Sequence, residues 1–208
     1  KAGAVTLMSG FHDISGVPAS ANHYTMREVL KGRWSHDGFV VSDWGSIVQL
    51  ISQGAAEDLK EASEKAIMAG VDMDMMSRGY DKYLKELVGE GKVPVEIVDD
   101  AVRRILRLKF RLGLFENPYI RETTEKERFL QPEDIKIAEK LAEESFVLLK
   151  NKEKRLPLAA DTKVAVIGPL GKNRWNLLGS WTAHGKDGDV VGIYDGLKLE
   201  LKDLSQLL

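Results

Sequence analysis

Apolar residues along this chain fall into short runs and helical stripes separated by polar, glycine-containing stretches. Residues 4–8 (AVTLM) form a strand-sized run followed by SGFHDISGVP, which reads as a strand feeding an irregular loop. Asn22 stands where it can cap a helix that carries Tyr24, Met26, Val29 and Leu30 and stops near Gly32. A second run, Phe39 to Val41, leads into the polar strand end Ser42-Asp43-Trp44-Gly45. Leu59, Ala62, Ala66 and Ala69 predict a helix over 57–69 with Gly70 as its C-terminal cap, and Val71 to Met75 predict another strand. The clearest helix spans 94–112, opened by Pro94 and closed before Gly113, with Val98, Ala101, Ile105, Leu108 and Leu112 on one stripe. Its acids (Glu96, Asp99, Asp100) gather near the start and its bases (Arg107, Lys109, Arg111) near the end, as the helix dipole favours.

The order strand, helix, strand, helix, strand, helix over residues 4–112 is that of parallel βα units, whose functional groups collect at the carboxyl ends of the strands. Three such units do not close an eight-stranded barrel. Asn117-Pro118 breaks the pattern, and the polar residues 116–131 read as a linker and domain boundary. Pro132 then opens a helix through about Glu144, while VLLKN, RLPL and KVAVIGP read as short strands of a second α/β domain and Leu197 to Leu208 as a last helix.

Composition narrows the function. The 208 residues are 43% hydrophobic and 30% charged, the balance of a folded globular chain. A net charge of -2 without a basic cluster argues against nucleic-acid and anionic-membrane partners and leaves neutral small molecules. No cysteine is present, so disulfides and thiolate zinc sites are excluded, and the redox compartment stays open. No apolar stretch approaches the roughly 20 residues of a membrane helix. Lys1 to Val5 do not read as a signal peptide.

Asp43 is the residue best placed for chemistry, a carboxylate at the end of a buried strand. Trp44 offers a flat apolar face for a pyranose ring, and Ser42 a hydroxyl to orient the carboxylate. The competing reading makes Asp43 the N-cap of the next helix and Trp44 a core residue. Asp72 and Asp74 alternate along VDMDM and share a strand face, as a metal or phosphoryl-transfer pair would, although capping of local backbone fits them better. His12, His23, His36 and His184 lack ligand spacing, and VIGPLG lacks the full glycine pattern of a dinucleotide site. Trp175 and Trp181 sit in a glycine-rich region that could touch sugar or another domain.

The run GFVVSDWGSI, preceded by ANHYTMREVLKGRWSHD and followed by AGVDMDM and DDAVRRILRLKFRLGLFENPY, resembles the end of the barrel domain of family 3 glycoside hydrolases. SFVLLKNKEKRLPL and VAVIGPLG resemble the start of that family's α/β sandwich domain. The resemblance implies an α/β fold: the C-terminal part of a (β/α)8 TIM-like barrel over 1–115, a linker at 116–131, and the beginning of an α/β sandwich domain over 132–208. It implies a retaining β-glucosidase-type enzyme with Asp43 as catalytic nucleophile. Trp44, Met8 and Phe11 would line the sugar subsite, Phe11 standing where many relatives carry Tyr. No metal or cofactor is implied.

Two parts of such a site have no counterpart here. The general acid/base of two-domain relatives is a sandwich-domain Glu in a Gly-Glu context, and Gly89-Glu90 belongs instead to a helix end. The sugar-gripping residues of the early barrel strands are likewise unmatched. The implied partners are therefore a β-glucoside or oligosaccharide and the remainder of the enzyme, with a homodimer compatible. The resemblance favours a periplasmic or secreted location, the cytoplasm staying open. A β-xylosidase or other exo-glycosidase, and a non-catalytic sugar-binding or structural piece, are the rival readings.

Overall fold

The structure is a computed structural model that describes residues 3–119, 129–159, 161–201, 203, 205 and 207. The first apolar run forms β1 (Thr6–Ser9), shifted slightly from its expected bounds. The following segment is more ordered than an irregular loop. It folds into a two-stranded antiparallel hairpin, β2 (Asp13–Ile14) and β3 (Val17–Pro18). Ser15 and Gly16 between them both have positive φ (53° and 77°), the backbone of a two-residue turn that matches strand twist.

A π-helix, Tyr24–Arg33, comes next. Asn22 does accept the Thr25 N–H at 3.0 Å, but the helix runs through Gly32, and Trp34 N–H reaches back five residues to the Val29 carbonyl at 2.9 Å. Tertiary contacts accompany this wider helix. Arg27 donates to the carbonyls of Ile67 and Met68, and Lys31 pairs with Asp72.

β4 (Phe39–Ser42) lies parallel to β1, Thr6 opposite Phe39 and Ser9 opposite Ser42. The strand expected over 71–75 is only a parallel bridge of Met73 to Val41, because Asp74 turns away to cap the next helix. Around these segments pack α1 (Ser46–Ser52), α2 (Leu59–Ala69), α3 (Gly79–Gly89) and α4 (Val95–Arg111). Asp58 caps α2 by accepting the Glu61 N–H at 2.8 Å, and Gly70 closes it at φ 111°. Val40, Ile47, Leu50, Ala62, Ala66 and Val71 form one core between the sheet and these helices; Ile67, Leu87, Val93 and Ala101 form a second.

By its contacts the chain divides into two compact units, Lys1–Glu127 and Arg128–Leu208. Residues 120–128, most of the expected linker, lie outside the described residues. The second unit holds α5 (Pro132–Ser145) and α6 (Ile193–Glu200). Its expected strands VLLKN, RLPL and KVAVIGP do not form a sheet among the described residues; Val164 makes a single bridge to Leu207. Their apolar content is strand-like, but a strand exists only where a neighbour takes its backbone hydrogen bonds. α6 ends at Glu200; of the helix expected over 197–208, residues 202, 204, 206 and 208 lie outside the described residues.

Candidate active site

Alternation along paired strands sorts the side chains at the sheet. Val40 and Ser42 point to the helix-covered face and are buried, with Ser9 opposite Ser42. Met8, Val41 and Met73 line up across the other face through register and bridge, and Met8 (54%) and Met73 (45%) are exposed there. Asp43 comes two residues after Val41, at the carboxyl end of β4.

Backbone hydrogen bonds fix Asp43 from both flanks. Its N–H donates to the Ser9 carbonyl at 3.0 Å, while Ser42 N–H and Gly45 N–H donate to the Met73 and Met75 carbonyls, both at 2.8 Å. Gly45 turns the chain into α1 at φ 69°, a conformation glycine adopts without the steric penalty of a side chain. The Asp43 carboxylate accepts the Trp44 N–H at 2.6 Å. The N-cap of α1 is Gly45, and the Val48 N–H in its first turn donates to the Ser77 hydroxyl at 3.1 Å, so the capping reading of Asp43 does not hold for its carboxylate. Trp44 is not core either, being 55% exposed. Ser42 does not orient the carboxylate: its buried hydroxyl accepts the Met75 N–H at 2.7 Å and ties β4 to the third segment.

Met8 sits one residue before Ser9, in the strand beside Asp43. Phe11 follows β1, half-buried, its carbonyl accepting the Gln53 side-chain amide at 2.8 Å at the end of α1. A cleft of about 270 Å³ opens between β1 and the π-helix, lined by Met8, Met26, Leu30, Trp34 and Val40 among others. Phe11, Asp43 and Trp44 do not line it. The sequence-derived residues thus share one end of the sheet, Asp43 and Trp44 adjacent, Met8 on the neighbouring strand and Phe11 beyond it.

The acidic pair Asp72 and Asp74 is divided between structural tasks. Asp72 is fully buried, accepting the Val40 N–H at 2.8 Å and pairing with the Lys31 ammonium. Asp74 accepts the backbone N–H groups of Ser77 and Gly79 at 3.1 and 2.7 Å at the start of α3. No cluster of metal-ligating side chains occurs among the described residues. Missed by the sequence reading were Ser9, Ser20 and Ser46, whose hydroxyls meet in the interior; buried serines far apart in sequence leave no periodic signal.

Comparison with known proteins adds to this geometry. Residues 1–108 match the glycosyl hydrolase family 3 N terminal domain. The chain is similar to the periplasmic β-glucosidase of Salmonella typhimurium, 35% identical over 216 residues that cover 100% of this chain and 28% of that protein. It is 32% identical to a β-xylosidase of Formosa agariphila, covering 95% of this chain and 29% of the relative. Among solved structures, the β-glucosidase from Listeria innocua in complex with glucose superposes with a TM-score of 0.74 at 38% identity, over 99% of this chain and 28% of that one. The chain thus spans less than a third of the length of each.

Proposed function

Because this chain belongs to family 3 of the glycosyl hydrolases, we propose that it forms the nucleophile-bearing part of a retaining, exo-acting β-glucosidase, with Asp43 as the attacking carboxylate. Residues 1–115 are read as the last βα units of its barrel and 132–208 as the start of its sandwich domain. The observation that carries the reading is the position of Asp43, at the carboxyl end of a parallel strand, its carboxylate bonded among the described residues only to the N–H of the exposed Trp44 beside it. End-to-end similarity to β-glucosidases supports the same assignment.

In this reaction the carboxylate attacks the anomeric carbon and displaces the leaving group, forming a glycosyl-enzyme ester. A second carboxyl group, about 5–5.5 Å away, protonates the departing oxygen and later activates the water that hydrolyses the ester. Asp43 attacks as a carboxylate, one oxygen of which accepts the Trp44 N–H at 2.6 Å. Trp44 and Met8 supply apolar surface for the sugar ring, with Phe11 completing the wall. The acid/base belongs to the remainder of the enzyme, as do residues that grip the sugar hydroxyls. The Formosa relative makes a β-xyloside the second reading.

The complete enzyme treated with a 2-deoxy-2-fluoro glucoside should gain one sugar mass on Asp43. Asp43→Ala should lower kcat by at least about 10³-fold. A label on another residue, or normal turnover by the variant, refutes the assignment; faster labelling by the corresponding xyloside selects the second reading.

A further inference from the structure

The main chain of Asp43 is anchored at two points, to the end of β1 and to the start of α1. Its N–H donates to the Ser9 carbonyl, and its carbonyl accepts the Ser46 N–H, each at 3.0 Å. The side chains of these same two residues are joined by a third. Ser9 Oγ lies 2.9 Å from Ser20 Oγ, which lies 2.8 Å from Ser46 Oγ. The three residues are 6%, 1% and 2% exposed, so no bulk water replaces a lost partner.

Ser9 ends β1, Ser20 lies in the short turn after the hairpin, and Ser46 begins α1. The hydroxyl chain therefore binds together the two elements that hold the Asp43 peptide. We propose that Ser20 is a positioning residue for Asp43: by bridging Ser9 and Ser46 it fixes the separation of the two backbone anchors and hence the place of the carboxylate. The inference rests on Asp43 being the nucleophile. Ser20 makes no contact with the carboxylate; Met73 and Met75 hold the opposite flank of the Asp43 peptide by separate bonds. Loss of Ser20 thus loosens one side of a clamp and leaves the other in place.

A displacement of about 1 Å in a reacting group can cost on the order of 100-fold in rate, because near-attack geometry is lost while ground-state contacts persist. In the complete enzyme, Ser20→Ala should slow the labelling of Asp43 by a 2-deoxy-2-fluoro glucoside about 10- to 100-fold, with kcat falling alike and KM within about twofold. Ser46→Ala should slow labelling comparably, and the double variant no further, since either substitution already breaks the chain. Should Ser20→Ala fail to fold, Ser46→Ala and Ser9→Ala answer by the same criteria.

Labelling of Asp43 at the parental rate in Ser20→Ala, a loss confined to KM, or independent losses that multiply in the double variant would overturn this inference alone. A label on a residue other than Asp43 in the parent enzyme overturns the nucleophile assignment, and the positioning role with it.

Discussion

Lys31 places an ammonium where water is nearly excluded, and it stays there because Asp72 supplies the counter-charge, itself held by the Val40 N–H. Removing one partner of such a pair strands the other charge. Asp72→Asn should therefore lower the unfolding free energy by about 3–5 kcal/mol, read from urea denaturation. Burial, the largest influence on Lys31, lowers its pKa below the ordinary 10.5, with Asp72 opposing. Between that lowered value and 10.5 the unfolded chain binds more protons than the folded one, so the contribution of Lys31 to stability rises with pH across this window. Lys60 acts in the opposite sense: Glu86 and Glu90 raise its pKa, and its contribution is lost only as pH climbs through that raised value. Lys31→Met should flatten the stability profile up to pH 10.5 relative to the parent; an unchanged slope would contradict this origin. Nothing in the alternation of VDMDM separates these roles. Asp72 and Asp74 look equivalent in sequence, and only the approach of Lys31, 41 residues away, makes one an ion-pair partner.

Helix ends were readable because their signals are local. Gly70 and Pro94 stand at or beside the observed ends of α2 and α4, where a left-handed or N-terminal backbone suits glycine and proline. Asp58→Ala removes the side-chain cap of α2 and should cost about 1 kcal/mol, seen as a lower denaturation midpoint at constant m. A closer constraint joins β1 to β4. A Cβ on Gly38 would fall 1.9 Å from the Val5 carbonyl oxygen, the same oxygen that accepts the Phe39 N–H. Gly38→Ala should therefore disturb the start of the pairing and destabilise by about 3 kcal/mol, with early loss of amide protection at Phe39. Strand pairing was less readable than helix ends. The third extended segment has the apolar residues of a strand, yet Asp74 leaves the ladder to cap α3, and that competition is settled by tertiary packing.

At the scale of the molecule, β1 and the segment at Met73 each carry an outer edge with no ladder partner among the described residues. Met8 and Met73 expose the sheet face that a closed barrel turns inward. The 208-residue chain expressed alone should therefore bind a hydrophobic dye, associate in solution and lack glucosidase activity, whereas the complete enzyme should not bind the dye and should turn over substrate. A monodisperse, active isolated chain would show that the open face needs no cover. Composition and the order of apolar runs were enough for an α/β chain with parallel βα units and an acid at a strand end, because those patterns depend on residues within a few turns of one another. The open sheet face, the three serine hydroxyls beneath Asp43 and the divided work of Asp72 and Asp74 were decided by the folded chain. The serine chain and the pairing of Asp72 with Lys31 join residues 11 to 41 positions apart that meet only when strands and helices pack, whereas Asp74 caps N–H groups three and five residues on.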